Sequence, residues 1–516
     1  MGDPSMHKWW ALGALTLAVL AVGLDGTILS VALPTLAGTL HASETDLQWF
    51  SSGYLLVLGA AMLPAGLLGD RYGRKKVLLT GLVLFGVGST ACAYSTSTAE
   101  FLAARVLLGV AGAAVIVMAL SALTVLFTEE ERPKAVGVWA AANFVALPIG
   151  PILGGWLLTH YWWGWVFLLN VPVAAVGLVA AALLVPESRS PRRPGVDVVG
   201  IAMSVTGLVA LTYGLIEAGE DGWTDARALM LMVIGLGVLV GFLAWERRLD
   251  ARPGGRALVD FELFSSRSYT WGVVLAAVAV VSMIGVIFTM PQYFQAVVGT
   301  DAMGSGLRLL PLIGGLIVGA VPADLVARAV GAKFTVALGF AVLAAGLLLG
   351  ATTRLDSGTG FVAVWMAVVG LGMGLAMATA SSAVMTEVTE ERSGVGSAVM
   401  QAANKTAAPF GSAVLGSVLL GAYRSRLDLT RLPPPAAAVV RASVFEGVAV
   451  ARRARSQALL RSVRESFLHG VDMALVVSAG AAVVGMLLAV AFLPGHRQAH
   501  GEDRSSTEED AVVPVH

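Results

Sequence analysis

Residues 66–76 read GLLGDRYGRKK, with one acid and four bases. Apolar runs over 48–68 and 77–94 flank them, and each matches the ~20 residues that a helix needs to cross a bilayer. The stretch is therefore a tight basic turn between two membrane spans. Crowded Lys and Arg beside a span mark the cytoplasmic side. Gly66, Gly69 and Gly73 permit close helix approach and a sharp turn. Asp70 is placed to accept from backbone N–H groups at the start of the next helix or to pair with an Arg.

Composition carries this reading to the whole chain. Of 516 residues, 57% are hydrophobic and 13% charged, about half the charged share of a soluble domain. The chain reads as an all-α polytopic membrane protein. Zero formal net charge gives no reason to expect nucleic acid, and a single cysteine, Cys92, excludes intrachain disulfides. The seven histidines fall in tails, loops or span ends, so no metal site and no histidine proton relay is expected. No G-x-x-x-x-G-K-[ST] phosphate loop occurs, and no His, Cys or Ser/His/acid constellation lies inside the spans, so neither ATP hydrolysis nor an enzyme is expected. The first apolar run is too long for the core of a signal peptide and reads as a span.

Apolar runs predict fourteen spans, near 10–34, 48–69, 77–94, 99–124, 135–158, 163–185, 198–217, 228–245, 270–294, 304–323, 334–352, 360–385, 396–421 and 470–493. The bases of the short loops lie on the side of the 66–76 turn, and the opposite loops and span ends carry only Arg227, Arg308 and Arg354. That asymmetry predicts both termini inside. Segment 422–468 breaks the pattern with nine Arg. Its amphipathic stretch Val444 to Leu468 is expected to form a helix that lies on the membrane surface or covers the outer mouth.

The chain also repeats itself. Shifted by 258, Pro64, Leu67, Gly73 and Lys75 meet Pro322, Leu325, Gly331 and Lys333. Shifted by 261, Glu129, Ala142, Asn143, Pro148 and Gly150 meet Glu390, Ala403, Asn404, Pro409 and Gly411. The matching offsets imply two six-helix bundles of like orientation, residues 1–186 and 269–495, with two extra spans and their linkers between them (187–268) and a disordered cytoplasmic tail over 496–516. The second copy lacks the Asp-Arg core of the turn: Arg328 and Ala329 stand where Asp70 and Arg71 do.

Three charges fall well inside spans: Asp25, Arg105 and Lys405. At 1.5 Å per residue, Asp25 lies ~22 Å from the start of span one and ~13 Å from its end, and Arg105 lies ~9 Å from the outer end of span four. Similar depth permits an ion pair. Such a pair either fixes helix packing or takes part in function, as intramembrane ionisable groups usually do. Lys405 either snorkels or loses its charge through burial, or it serves the cavity.

The 66–76 turn resembles the signature loop of the major facilitator superfamily, G-x-L-x-D-R-x-G-R-K/R. Leu24-Asp25-Gly26-Thr27-Ile28 with Val31-Ala32-Leu33-Pro34 resembles the first-span motif of its fourteen-span drug:proton antiporters. Arg105 with Gly109 and Gly112 resembles the fourth-span proton-coupling motif. Pro148, Gly150, Pro151, Gly154 and Gly155 resemble the fifth-span antiporter motif, and Trp163 to Pro172, including Asn170, resembles the segment before span six. The resemblance covers residues 10–494. It implies two six-helix bundles plus two inserted helices, alternating access, and proton-coupled export of lipophilic drugs or antibiotics across a bacterial cytoplasmic membrane by a monomer. Protons would be the coupling ion, with no cofactor, and lipids and a small lipophilic substrate would be the partners. Export of one metabolite, or lipid flipping or import on the same fold, stays open.

By that resemblance Asp25 and Arg105 couple protons, and Gly66, Asp70, Arg71, Gly73 and Arg74 form the inner gate. Trp49, Ser52, Tyr54, Asn143, Gln292, Tyr293, Met400, Gln401, Asn404 and Lys405 are candidates to line the cavity. Some multidrug relatives place further acids in spans two, nine to ten and thirteen for cationic drugs. Here Ser52 stands in span two, span ten has no acid, and span thirteen has Met400-Gln401. One acid and two bases suit lipophilic neutral, zwitterionic or singly charged compounds rather than dications.

Overall fold

A computed structural model describes residues 4–128, 131, 135, 149–188, 197–251, 263–386, 393–430 and 432–494. Asn143, Pro148 and the tail 496–516 lie outside the described residues. Among the described residues the regular structure is helical, with no strand.

The first bundle begins with α1 (Pro4–Thr39), α2 (Glu44–Tyr72), α3 (Arg74–Ala93) and α4 (Thr98–Leu126). Residues 149–160 form the described part of α5, and α6 (Asn170–Leu184) follows the short turn Trp165–Leu168. The inserted pair is α7 (Val198–Asp221) and α8 (Ala226–Asp250). The second bundle holds α9 (Arg267–Gln292), α10 (Ala302–Ala320, stepped at Leu309), α11 (Ala332–Gly350), α12 (Thr359–Thr386), α13 (Ser393–Arg426) and α14 (Gln457–Phe492). Twelve of the described helices are long and apolar enough to cross a bilayer, and α2, bent by 43° between Met62 and Pro64, makes a thirteenth. The span expected over 135–158 is described only from residue 149 onward. The end of the molecule that bears the 66–76 turn is called the inner end, following the charge pattern of the loops.

Local chemistry sets the helix starts. Ser43 caps α2 in a capping box with Asp46, and Ser97, Ser266 and Ser456 cap α4, α9 and α14, each supplying an acceptor to N–H groups that have no partner in the first turn. The breaks follow the repeat. Pro64 begins the bent inner arm of α2, and Pro322 precedes the short inner helix Ala323–Val330. Both arms end at a glycine with positive φ, 118° at Gly73 and 91° at Gly331, a conformation that side chains with Cβ disfavour.

Each bundle has its own core. Leu15, Phe50, Leu82, Leu108 and Phe167 belong to one, and Met283, Leu312, Phe340, Trp365 and Leu475 to the other. Inside the second bundle α10 and α12 cross on reciprocal glycines. Gly315 and Gly319 lie on the Ala367 and Leu371 carbonyls, and Gly370 and Gly374 on those of Leu312 and Leu316. Close backbone approach of this kind drives helix association where lipid offers no hydrophobic gain. The α7–α8 hairpin lies against both bundles: Leu208 packs with Leu56 and Ala60 of α2 and with Phe410 of α13, and Ser417 Oγ donates to the Leu215 carbonyl at 2.6 Å.

Contacts in three regions join the bundles toward the outer end. Gln295 Nε2 donates to the Val31 carbonyl at 3.2 Å. Gly155 of α5 lies against the backbone of Ala302 and Met303, and Gly306 of α10 against the Pro151 carbonyl. Ser52 of α2 shares a short hydrogen bond with Ser412 of α13, and Gly416 lies against Gln48. The outer segment sits over this seam. The helix expected across Val444 to Leu468 is in fact two, Val444–Arg453 and the start of α14, broken at Arg455 with φ 49°. A further helix, Pro434–Ala442, is tied down where Tyr423 Oη donates to the Val440 carbonyl at 2.8 Å. Phe445 packs against the cores of both bundles, and Glu446 lies 3.6 Å from His41 in the α1–α2 turn. The segment thus packs across both bundles at this end.

Candidate functional site

Five helices of the first bundle converge on Asp25. Depth along α1 and α4 brings it level with Arg105, and Arg105 Nη1 donates to Asp25 Oδ2 at 2.6 Å. Both side chains are buried, Asp25 at 2% and Arg105 at 0% exposure. Asn170 at the start of α6 donates to Asp25 Oδ1 at 3.3 Å and to Ser89 Oγ of α3 at 3.2 Å. Arg105 Nε donates to the Phe50 carbonyl of α2 at 3.3 Å, and the guanidinium lies 4.1 Å from the centre of the Tyr54 ring. Tyr54 Oη donates to the Val22 carbonyl of α1 at 3.4 Å.

These contacts suit a desolvated ion pair. In low dielectric an ion pair persists only if its remaining hydrogen-bonding capacity is also met. Here Asn170 serves the carboxylate, and a carbonyl and an aromatic face serve the guanidinium. One amino group is left over: Arg105 Nη2 is buried without a partner among the described residues. Protonating Asp25 would remove the charge that Arg105 faces and free the guanidinium to turn elsewhere. A proton at this point can thus change how α1, α2, α4 and α6 hold one another.

The α5 glycines reach the same segment of α1. Gly150 lies against Thr27, and Gly154 against Ile28, two and three residues beyond Asp25. Gly155, next in line, faces α10. The fifth helix therefore touches the Asp25 segment on one side and the other bundle on the next.

The inner turn is held by more than its own residues. Asp70 Oδ1 accepts from Arg74 Nε at 3.0 Å and Nη2 at 2.9 Å, so of the two roles expected for Asp70 the structure has the pairing with Arg. The helix-start N–H of Lys75 goes instead to Glu187 Oε1 at 3.3 Å, beyond α6. The Arg74 N–H donates to the Ser188 carbonyl at 3.0 Å, and Lys75 Nζ to the Ala182 carbonyl at 2.7 Å. A Cβ on Gly73 would meet the Glu187 carboxylate. Gly66 and Gly69 lie against Val117 and Met118 of α4, and Arg71 covers the Tyr72 ring at 5.5 Å.

The remaining candidates are dispersed. Ser52 lies in the outer seam, and Tyr54 lies under Arg105. Trp49 turns away toward α7, its ring 5.7 Å from that of Tyr213. Gln292 is buried and donates to the Phe288 carbonyl at 3.3 Å. Tyr293 belongs to the second bundle's core, with Phe294 at 5.5 Å. Met400 packs with Tyr269, Val273 and Val384. Gln401, Asn404 and Lys405 lie on α13, Asn404 buried and Lys405 half-buried.

Sequence depth locates Asp25 and Arg105. The antiporter-like segment before span six contains Asn170 but gives it no role. Ser89 and Glu187 carry no sequence signal. Glu44 escapes sequence reasoning because it precedes the predicted start of span two; it is buried at the start of α2 beside Gln292. An apolar groove of about 630 Å³ between α3 and α6, lined by Leu82, Gly86, Thr90, Val171 and Leu178, holds none of these charges.

Known proteins resemble this chain in sequence and in fold. The sequence profile of the Major Facilitator Superfamily matches residues 15–412. The chain is 32% identical over 496 residues to the tetracenomycin C resistance and export protein of Streptomyces glaucescens, covering 94% of this chain and 91% of that protein. It is 32% identical over 505 residues to the multidrug efflux pump LfrA of Mycolicibacterium smegmatis, covering 94% of this chain and 98% of that one. A crystal structure of a bacterial homolog of the human lysosomal transporter Spinster, inward-facing and unoccupied, superposes with a TM-score of 0.66 at 15% identity, over 96% of this chain and 98% of that chain. The chain belongs to the Major Facilitator Superfamily.

Proposed function

We propose that the protein is a proton-coupled antiporter that exports lipophilic drugs or antibiotics by alternating access. It acts as a monomer in a bacterial cytoplasmic membrane, with both termini inside and the proton as its only coupling ion. The observation that carries the reading is the sealed Asp25–Arg105 pair, whose hydrogen bonds reach neighbouring helices on either side. Kinship with an antibiotic export protein and a multidrug efflux pump supports the direction and the class of cargo. A proton entering from outside neutralises Asp25, and the released helices rearrange. Cargo leaves outward, and the pair re-forms when the proton passes inward. The tetracenomycin relative also favours a narrower version, export of one antibiotic.

The test is proton movement triggered by an anthraquinone dye in liposomes holding the purified chain. An imposed proton gradient should drive export of the dye by the wild type, and Asp25→Asn, monodisperse by size exclusion, should not export it. Equal export with unchanged pH dependence by Asp25→Asn would remove Asp25 from the coupling mechanism.

A further inference from the structure

We propose that Lys405 is the anion-recognising group of the transport path, so the preferred cargo carries an ionised acid group, such as a carboxylate or phenolate, on its lipophilic body. This deepens the exporter reading and rests on it.

Lys405 lies on α13, ~18 Å from its inner end at 1.5 Å per residue. Its backbone meets the middle of α2, where Gly59 lies against Thr406 and the Lys405 carbonyl carbon. Membrane mid-depth is the most expensive place for an unpaired charge. Among the described residues, none forms a side-chain hydrogen bond or ion pair with the Lys405 ammonium. The Asp25 carboxylate is already taken by Arg105.

Helix geometry gives the direction of the side chain. Lys405, Ser412 and Gly416 fall on one stripe of α13, spaced by seven and four residues. Ser412 and Gly416 face Ser52 and Gln48 of α2 across the outer seam. The flank formed by Gly411 and Leu415 faces α9, where Gly411 meets Val281 and Ile284, and Leu415 meets Gly285. The other flank, Phe410 and Ser417, faces α7. At the level of Lys405, α2 has crossed to the Thr406 side of the helix. The stripe that Ser412 and Gly416 seal farther out is therefore only partly covered at Lys405. Accessibility agrees: Lys405 is half-buried while Asn404 beside it, on the α9 side, is buried.

The charge of the cavity then sums simply among the described residues. Asp25 and Arg105 cancel and are sealed, which leaves one ammonium at mid-membrane. Such a site attracts an anion and repels a cation, and the anion supplies the missing partner.

The experiment compares three probes with one chain: an anthraquinone carboxylate, its uncharged methyl ester, and ethidium. Binding to the purified full chain is read from quenching of tryptophan fluorescence. The wild type should bind the carboxylate roughly tenfold or more tighter than the ester, the span expected of a charge-assisted hydrogen bond. Lys405→Gln should erase that preference and leave ester binding within about twofold, because no hydrogen bond to the ester depends on the charge. Lys405→Arg should keep the preference, and Lys405→Glu should transfer it to ethidium. An equal carboxylate-to-ester ratio in wild type and Lys405→Gln would overturn the proposal while leaving the exporter reading intact. Failure of the wild type to bind any of the three would overturn both.

Discussion

In the first bundle the membrane-buried cation, Arg105, lies 2.6 Å from a carboxylate and donates again to a carbonyl. In the second, Lys405 lies at mid-depth with no such neighbour among the described residues. The inner turns differ in the same way. Asp70 clasps Arg74 in the first copy, and the second keeps only the glycine turn at Gly331 and has Arg328 in place of the acid. Both halves follow one repeat and keep its bends, yet charge is balanced in one and left open in the other. A bundle with internally paired charge can hold its conformation until a proton arrives. A bundle with an unpaired charge is completed by what enters from outside.

The sharpest way to break this contrast is stability. Arg105→Met strands a buried carboxylate and should cost about 3–5 kcal/mol. Lys405→Met removes a charge that has no partner among the described residues and should be neutral or stabilising. Thermal unfolding of the two variants in detergent separates them, and equal losses would mean that Lys405 has a partner of its own. A smaller effect is expected at the inner turn. Asp70→Asn breaks a half-exposed pair worth at most about 1 kcal/mol, so export should slow by about fivefold with binding unchanged, while Arg328→Gln in the second copy should leave the rate as it is. Equal slowing by both would show that the two turns work alike.

The smallest effect concerns the tie between α1 and the segment after α4. Lys8 Nζ donates to both Glu131 oxygens at 2.7 Å, and this bond holds the Glu131 carboxyl below its ordinary 4.5. A depressed folded value stabilises the fold above the ordinary pKa, and the gain is lost as pH falls through the folded value. Wild type should therefore exceed Lys8→Ala in melting temperature near neutral pH, and the difference should vanish in acid. A difference that persisted in acid would assign the contact to packing.

Much of this contrast is legible in the sequence alone. The spans, the repeat and the depth of Asp25 and Arg105 follow from counting residues along helices. Angular position about each axis is harder to read. Trp49 shares α2 with Ser52 and Tyr54, yet it faces α7 because the inserted pair packs there. Asp70 could reach two kinds of partner, and the choice falls to Glu187, more than a hundred residues away, which takes the helix-start N–H. Asn170 sits in a segment with a recognisable motif, but its role depends on α6 arriving beside α1, and one chain's sequence does not encode that distance locally. The amphipathic run from Val444 to Leu468 keeps its periodicity through Arg455, whose left-handed backbone no pattern announces.

The outer cap has a consequence for inhibition. Phe445 rests on both bundles at once, so the halves cannot part at that end until it lifts away. A binder that clamps the Val444–Arg453 helix onto the α1–α2 turn, where Glu446 already lies near His41, would hold the exit shut from outside. Such a molecule would never have to enter the membrane or compete with the cargo, and the pump could not expel it.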